Sequence, residues 1–130
     1  MKSLFYVGMD VHKESVSFAV LGSEEKAPIY EGTHSGELSR VVAFVRAYTK
    51  KGDVLAGYEA GCMGYTMYRA LTDANVACRV LTPSHIPRVG SQRIKTDRRD
   101  ALLIARMLKN GEWEGIHIPT EDDEAARDLL

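Results

Sequence analysis

The chain has 130 residues, 45% of them hydrophobic, with 17 Lys+Arg against 18 Asp+Glu. That describes one globular domain with a core of ordinary size; two domains would be crowded. No apolar run approaches the length that spans a bilayer, and the start "MKSLFYVGMD" reaches an aspartate too early for a secretory signal. A cytoplasmic protein with no membrane partner is expected.

The first apolar run, "LFYVGM" at residues 4–9, is continuous and of strand length, as for a strand buried on both faces, and it stops at Asp10. "SVSFAVLG" alternates, with Val16, Phe18 and Val20 on one face, and "APIYEGTH" follows the turn-like "GSEEK". Three strands in an antiparallel meander are the simplest account. Between Gly36 and Lys51, Leu38, Val41, Val42, Val45 and Tyr48 recur at helical spacing. "DVLAGYE" then reads as a buried strand ending at Glu59, "GCMGYTMYRALTDAN" as a helix and "VACRVL" as another strand. A right-handed helical crossover would return the Glu59 strand parallel to a strand of the same sheet. If that strand lies beside the first, Asp10 and Glu59 finish at one edge, where such sheets place their ligands. "TPSHIPRVGSQRIKT", with two prolines and no clear period, reads as a loop, followed by a helix from about Asp97 to Lys109 closed by "NG". From Trp113 to Leu130 the signal is weak: Pro119 and "TEDDEAARDLL" suggest the start of a further helix, cut short. The expected division is a catalytic unit over 1–112 and a connecting helical region beginning at 113–130. Cys62 and Cys78 have the spacing of neither a metal knuckle nor a redox pair and read as buried free thiols.

The balanced charge hides a separation along the chain. Between Ala74 and Thr96 there is no acid, while Arg79, Arg88, Arg93 and Lys95 occur there with His85. From Glu112 to Asp128 seven acids face Arg127 alone. A basic segment beside a carboxylate site suits a protein that processes a polyanion, and a solvated loop is the alternative.

In "IKTDRRDALLIA", residues 94–105, Asp97 and Asp100 stand three apart among Lys95, Arg98 and Arg99. On a helix the two acids would share one face, close enough to hold a cation together. An ordinary acidic helix start is the alternative. With Asp10 and Glu59 they make four carboxylates on elements able to converge, and such groups repel one another unless divalent cations neutralise them. Oxygen donors without His or Cys favour Mg²⁺ or Mn²⁺ over zinc. A pair of ions suits phosphodiester chemistry, with the neighbouring bases binding phosphates.

Taken together, "YVGMDVHKESV", "GYEAG" and "RIKTDRRDA" resemble the D, E and D-x-x-D motifs of the DEDD transposases, the insertion-sequence recombinases related to the Piv DNA invertase. The resemblance runs from about Phe5 to Met107. It implies an α/β domain of ribonuclease-H-like (RuvC-like) fold, a mixed sheet with an antiparallel meander followed by parallel strands, flanked by helices. It also implies Mg²⁺-dependent cleavage and rejoining of DNA, and carries Asp10, Glu59, Asp97 and Asp100 over as a metal-binding tetrad. Members of that family continue into a coiled coil and a second, serine-bearing domain, are guided by a structured RNA, and are expected to form homo-oligomers. The chain therefore looks like the N-terminal catalytic domain alone, expected to bind metal without recombining DNA by itself.

Lys13, Arg88, Arg93, Lys95, Arg98 and Arg99 are the candidate nucleic-acid contacts, with carboxylate pairing the alternative for the last two. His12 is read either as a contact to phosphate or metal-bound water, or as a turn residue. Gly57 and Gly61 flank Glu59, where glycine allows close approach or simply makes a turn. Tyr65, Met67, Tyr68 and Leu71 are expected in the core or an interface rather than as a base-stacking platform. A stand-alone Holliday-junction resolvase of the same fold would need the same tetrad. Sugar-kinase and actin-like ATPases also end a first strand in aspartate, but follow it with glycine and a hydroxyl residue where this chain has Val11, His12 and Lys13. The non-enzymatic reading is a nucleic-acid-binding or oligomerisation module whose carboxylates merely cap helices.

Overall fold

The computed structural model describes residues 3–61, 64–87, 94–97 and 99–115, with backbone alone for 84–87 and 94–97. Strands β1 (Ser3–Val11), β2 (Ser15–Gly22) and β3 (Tyr30–Ser35) form the expected antiparallel meander. Helix α1 (Leu38–Ala47) ends in a short 3₁₀ turn, Tyr48–Lys50, and leads to β4 (Gly52–Glu59), helix α2 (Thr66–Asp73) and β5 (Ala77–Leu81). β4 lies parallel to β1, and β5 parallel to β4, giving one sheet in the order β3-β2-β1-β4-β5. β6 (Ser84–Pro87) and β7 (Ile94–Asp97) pair antiparallel in a separate two-stranded sheet, and α3 (Ala101–Asn110) follows.

Two expectations are corrected here. The stretch read as a loop contains β6 and β7. Four-residue strands carry too little alternation to be seen in sequence, and their pairing is non-local. The helix expected from Asp97 begins instead at Ala101, so Asp97 closes a strand and Asp100 is the residue before the helix. Asp97 and Asp100 therefore do not share a helix face. The physical reason lies in the cap: the Asp100 carboxylate accepts the Leu103 N–H at 2.7 Å, satisfying a donor that an uncapped first turn would leave open. The buried residues Ala101, Ile104, Ala105 and Leu108 keep helical spacing from that point and not before. At its far end α3 stops at Gly111, whose φ of 72° is left-handed.

The sheet is covered on both faces, which explains the apolar character of β1 throughout. Its odd-numbered residues Phe5, Val7, Met9 and Val11 join Val16, Phe18, Val54, Ala56 and Tyr58 in the larger core, against Val41 and Val45 of α1 and Met67 and Leu71 of α2. Tyr65 and Tyr68 pack at its margin, so that cluster belongs to the core as expected. Cys78 is a buried free thiol in the same core; burial pushes it up to about 12, so it stays protonated and packs as an apolar group. Cys62 lies outside the described residues.

On the other face, among the described residues, α3 supplies the helix, its Ala101 and Ala105 against Ala19 and Leu21, and its Ile104 and Leu108 against Leu81, with Tyr6 touching both groups. The approach is close. A Cβ placed on Gly8 of β1 would sit 2.0 Å from the Ala101 carbonyl oxygen and 2.5 Å from the Ala105 nitrogen. Gly57 of β4 serves the same helix, its missing Cβ leaving room for the Leu108 side chain. Of the two readings of Gly57, close approach is the one its surroundings support, with a side chain and not a backbone as the approaching group.

Tyr58, buried in the larger core, also ties down the connection that follows β4. Its hydroxyl donates to the Gly64 carbonyl at 2.7 Å and accepts the Tyr68 N–H at 3.2 Å. Burial raises the phenol well above its usual value, so it remains a neutral donor. Tyr58→Phe is expected to leave both backbone groups short of a partner and to cost about 1–3 kcal/mol. Urea unfolding measures it; an unchanged midpoint would mean that solvent replaces both bonds freely.

Candidate functional site

The parity of β1 and β4 decides which side chains reach the α3 side of the sheet. Met9 and Val11 face the larger core, so Asp10 between them faces α3; Tyr58 faces the core, so Glu59 faces α3 as well. The parallel register ends at Met9↔Tyr58, which makes Asp10 and Glu59 the next neighbours at the C-terminal ends of adjacent parallel strands. The expectation that they finish at one edge is met.

Helix α3 starts near this edge, but among the described residues its capping carboxylate, Asp100, does not close into a three-carboxylate cluster with Asp10 and Glu59. Its N-terminus lies over β1, with Ala101 against Gly8, and Asp100 precedes Ala101. The turn before the helix is bonded directly to the sheet: the Arg99 N–H donates to Glu59 Oε1 at 2.8 Å. Asp97 ends β7, two residues before Arg99. Its side chain lies outside the described atoms, and among the described residues no three His, Cys, Asp or Glu side chains cluster closely enough to hold a metal ion.

Each described carboxylate has a local partner. Asp10 Oδ2 lies 3.0 Å from His12 Nε2, Glu59 accepts the Arg99 N–H, and Asp100 Oδ1 takes the Leu103 N–H. His12 thus reaches the carboxylate of Asp10 from the bend after β1. Ser17 pairs with Asp10 across β1 and β2, and its hydroxyl is 2.9 Å from that of Thr33. This hydroxyl pair was not singled out in the sequence, although the alternation of "SVSFAVLG" places Ser17 opposite the apolar face. The Arg99 guanidinium donates to the Thr82 carbonyl at 3.1 Å just beyond β5.

Among the basic candidates, Lys13 is exposed in the bend between β1 and β2, and Lys95 lies on β7. Arg88, Arg93 and Arg98 fall outside the described residues. Gly61 has open space where a Cβ would stand, its nearest neighbour being the Glu59 carbonyl oxygen at 3.9 Å.

A mixed sheet in the order β3-β2-β1-β4-β5, an antiparallel meander followed by parallel strands with helices on both faces, is an α/β fold of the ribonuclease-H-like, RuvC-like class. The large terminase nuclease from thermophilic phage G20c has the same fold: the match covers 86% of this chain and 83% of that one, with a TM-score of 0.58 and 14% identity. The family model for DEDD transposases of the IS110 type, described as "Transposase", matches residues 7–130, and the chain belongs to that family. It is 40% identical over 134 residues to the transposase for insertion sequence element IS1533 of Leptospira borgpetersenii, and 38% identical over 127 residues to the putative transposase y4qE of Sinorhizobium fredii. The chain spans 38% of the first relative's length and 33% of the second's.

Proposed function

We propose that this chain is the catalytic domain of an insertion-sequence transposase, cutting and exchanging DNA strands at a site built from Asp10, Glu59, Asp97 and Asp100. The observation that carries the reading is the joint placement of Asp10 and Glu59 on the α3 side of the sheet, with the Asp100 cap brought over β1 by Gly8 and Arg99 bonded to Glu59. The proposed donor set is oxygen alone, the ligand chemistry that Mg²⁺ or Mn²⁺ takes, and two such ions are proposed. Bound there, such ions would supply charge stabilisation for attack on a phosphodiester and for the departing oxygen.

The chain's own residues position the donors. The bond from Arg99 fixes one oxygen of Glu59, His12 holds one oxygen of Asp10, and Asp100 spends Oδ1 on its helix. Lys13, Arg88, Arg93, Lys95 and Arg98 are proposed to contact the DNA backbone, which orients the substrate without reading its sequence. The unit proper is proposed to be 1–112, with 113–130 opening a connecting region. A guide RNA and further copies of the chain are proposed partners in the cytoplasm. A resolvase would use the same four carboxylates, but the family membership favours the transposase.

A Mn²⁺-soaked crystal, with the ions located by anomalous scattering, tests the site beside an Asp97→Asn control. Ions among the four carboxylates in the native chain and lost in the control are expected. Carboxylates pointing apart would sink the proposal, and salt-sensitive DNA binding indifferent to Mn²⁺ would favour a plain binding module.

A further inference from the structure

Arg99 makes two bonds to separate parts of the fold. Its backbone N–H holds Glu59 Oε1, while its guanidinium reaches away to the Thr82 carbonyl. Thr82 is a firm anchor. The strand end before it is held where Ala60 N–H donates to the Leu81 carbonyl at 3.1 Å, and Thr82 N–H donates to the Glu114 carbonyl at 3.2 Å. Leu81 also bridges to Gly115. The side chain of Arg99 thus spans from the turn before α3 to a part of the sheet edge that is pinned on two sides.

The neighbours of Arg99 in sequence are the reason the tie matters. Asp100 follows it directly and caps α3, so the backbone setting at Arg99 governs where that carboxylate and the start of the helix sit relative to Glu59. A short turn with no anchor would sample many settings. Beside Arg99 lies a cavity of about 340 Å³, lined also by Thr82, Met107, Glu112, Trp113 and Glu114. Two carboxylates on that cavity make it unfavourable for a DNA phosphate.

We infer that Arg99 is a positioning residue for the carboxylate site, holding the start of α3 with its Asp100 cap against Glu59 through the Thr82 carbonyl, rather than a contact to DNA phosphate. The inference rests on the reading of these carboxylates as metal ligands. Supporting groups of this kind change metal affinity without touching the metal.

The test measures Mn²⁺ affinity calorimetrically, and separately the salt dependence of binding to duplex DNA, for the native chain, Arg99→Ala, Arg99→Lys and Glu59→Gln. Arg99→Ala is expected to weaken Mn²⁺ binding about 10- to 100-fold. Arg99→Lys, whose ammonium offers Thr82 a single donor, is expected to recover part of that loss. The salt slope of DNA binding is expected to stay the same in Arg99→Ala. A slope smaller by about one with unchanged Mn²⁺ affinity would make Arg99 a phosphate contact and overturn the inference. Glu59→Gln separates the two levels of the argument: if it binds Mn²⁺ as the native chain does, the metal reading itself fails. If it loses Mn²⁺ while Arg99→Ala retains it, only the positioning role fails.

Discussion

A chain carrying Asp10→Asn and Glu59→Gln together is expected to fold normally and to lose its stabilisation by Mn²⁺. The two side chains are partly exposed and lie at strand ends, outside both apolar clusters, so the near-isosteric amides disturb no packing. Removing two negative charges that sit next to one another in register also removes a repulsion, so the metal-free variant is expected to be at least as stable as the native chain. With Mn²⁺ the order reverses. An ion at one hundred times its dissociation constant stabilises the folded state by about 2.7 kcal/mol, roughly 8–10 °C in melting temperature for a chain of this size. That increment should appear in thermal melts of the native chain and vanish in the double variant. Equal Mn²⁺-induced shifts in both would show that any bound ion sits elsewhere.

The second large effect lies behind the site. Valine favours strands, so Gly8→Val in the middle of β1 would gain up to about 1 kcal/mol on propensity alone. Packing decides against it, because the new side chain would meet the backbone of α3 at Ala101 and Ala105, which cannot rotate aside. Overpacking of this kind is expected to cost about 3 kcal/mol net and to lift the N-terminus of α3, Asp100 with it, off the sheet. Gly57→Ala is the control: the nearest atoms its Cβ meets belong to the Leu108 side chain, both methyl carbons at 3.0 Å and Cγ at 3.3 Å, so a small rotamer adjustment suffices and about 1 kcal/mol or less is expected. Urea midpoints of the two variants test the contrast, and equal midpoints would show that α3 gives way as easily as a side chain.

The difference between β4 and α3 explains how far the site was legible. Glu59 ends an apolar run long enough to identify both the strand and its end, and the crossover rule makes its return parallel, but its place beside β1 is only a condition at the level of sequence and is set by the sheet. At Asp97 the local signal misled. Acid before an apolar run fits the interior of a first helical turn as well as a cap, and only the bond from Leu103 to Asp100 distinguishes them. The pairing of β6 with β7 is likewise invisible locally, since each strand is four residues long and finds its partner across sequence that carries no period.

Arg99 marks the same limit in side-chain terms. Sequence placed it among basic residues beside acids, leaving nucleic acid and carboxylate pairing both open. What the fold adds is a bond from its guanidinium to a main-chain carbonyl just beyond β5, which no local pattern announces. Nor does the sequence reveal that Gly8, an unremarked glycine in an apolar run, lets a helix more than ninety positions later lie against the strand backbone.

By itself, then, the sequence determined the class of fold, the order of the first five strands and two helices along the chain, and the family. Those properties rest on periodicity and on motifs, which are local in the chain. The tertiary structure alone decided where α3 begins, which face carries the carboxylates, and what Gly8 and Arg99 are for, because each depends on contacts between segments far apart in sequence that compete with, and here override, local preference.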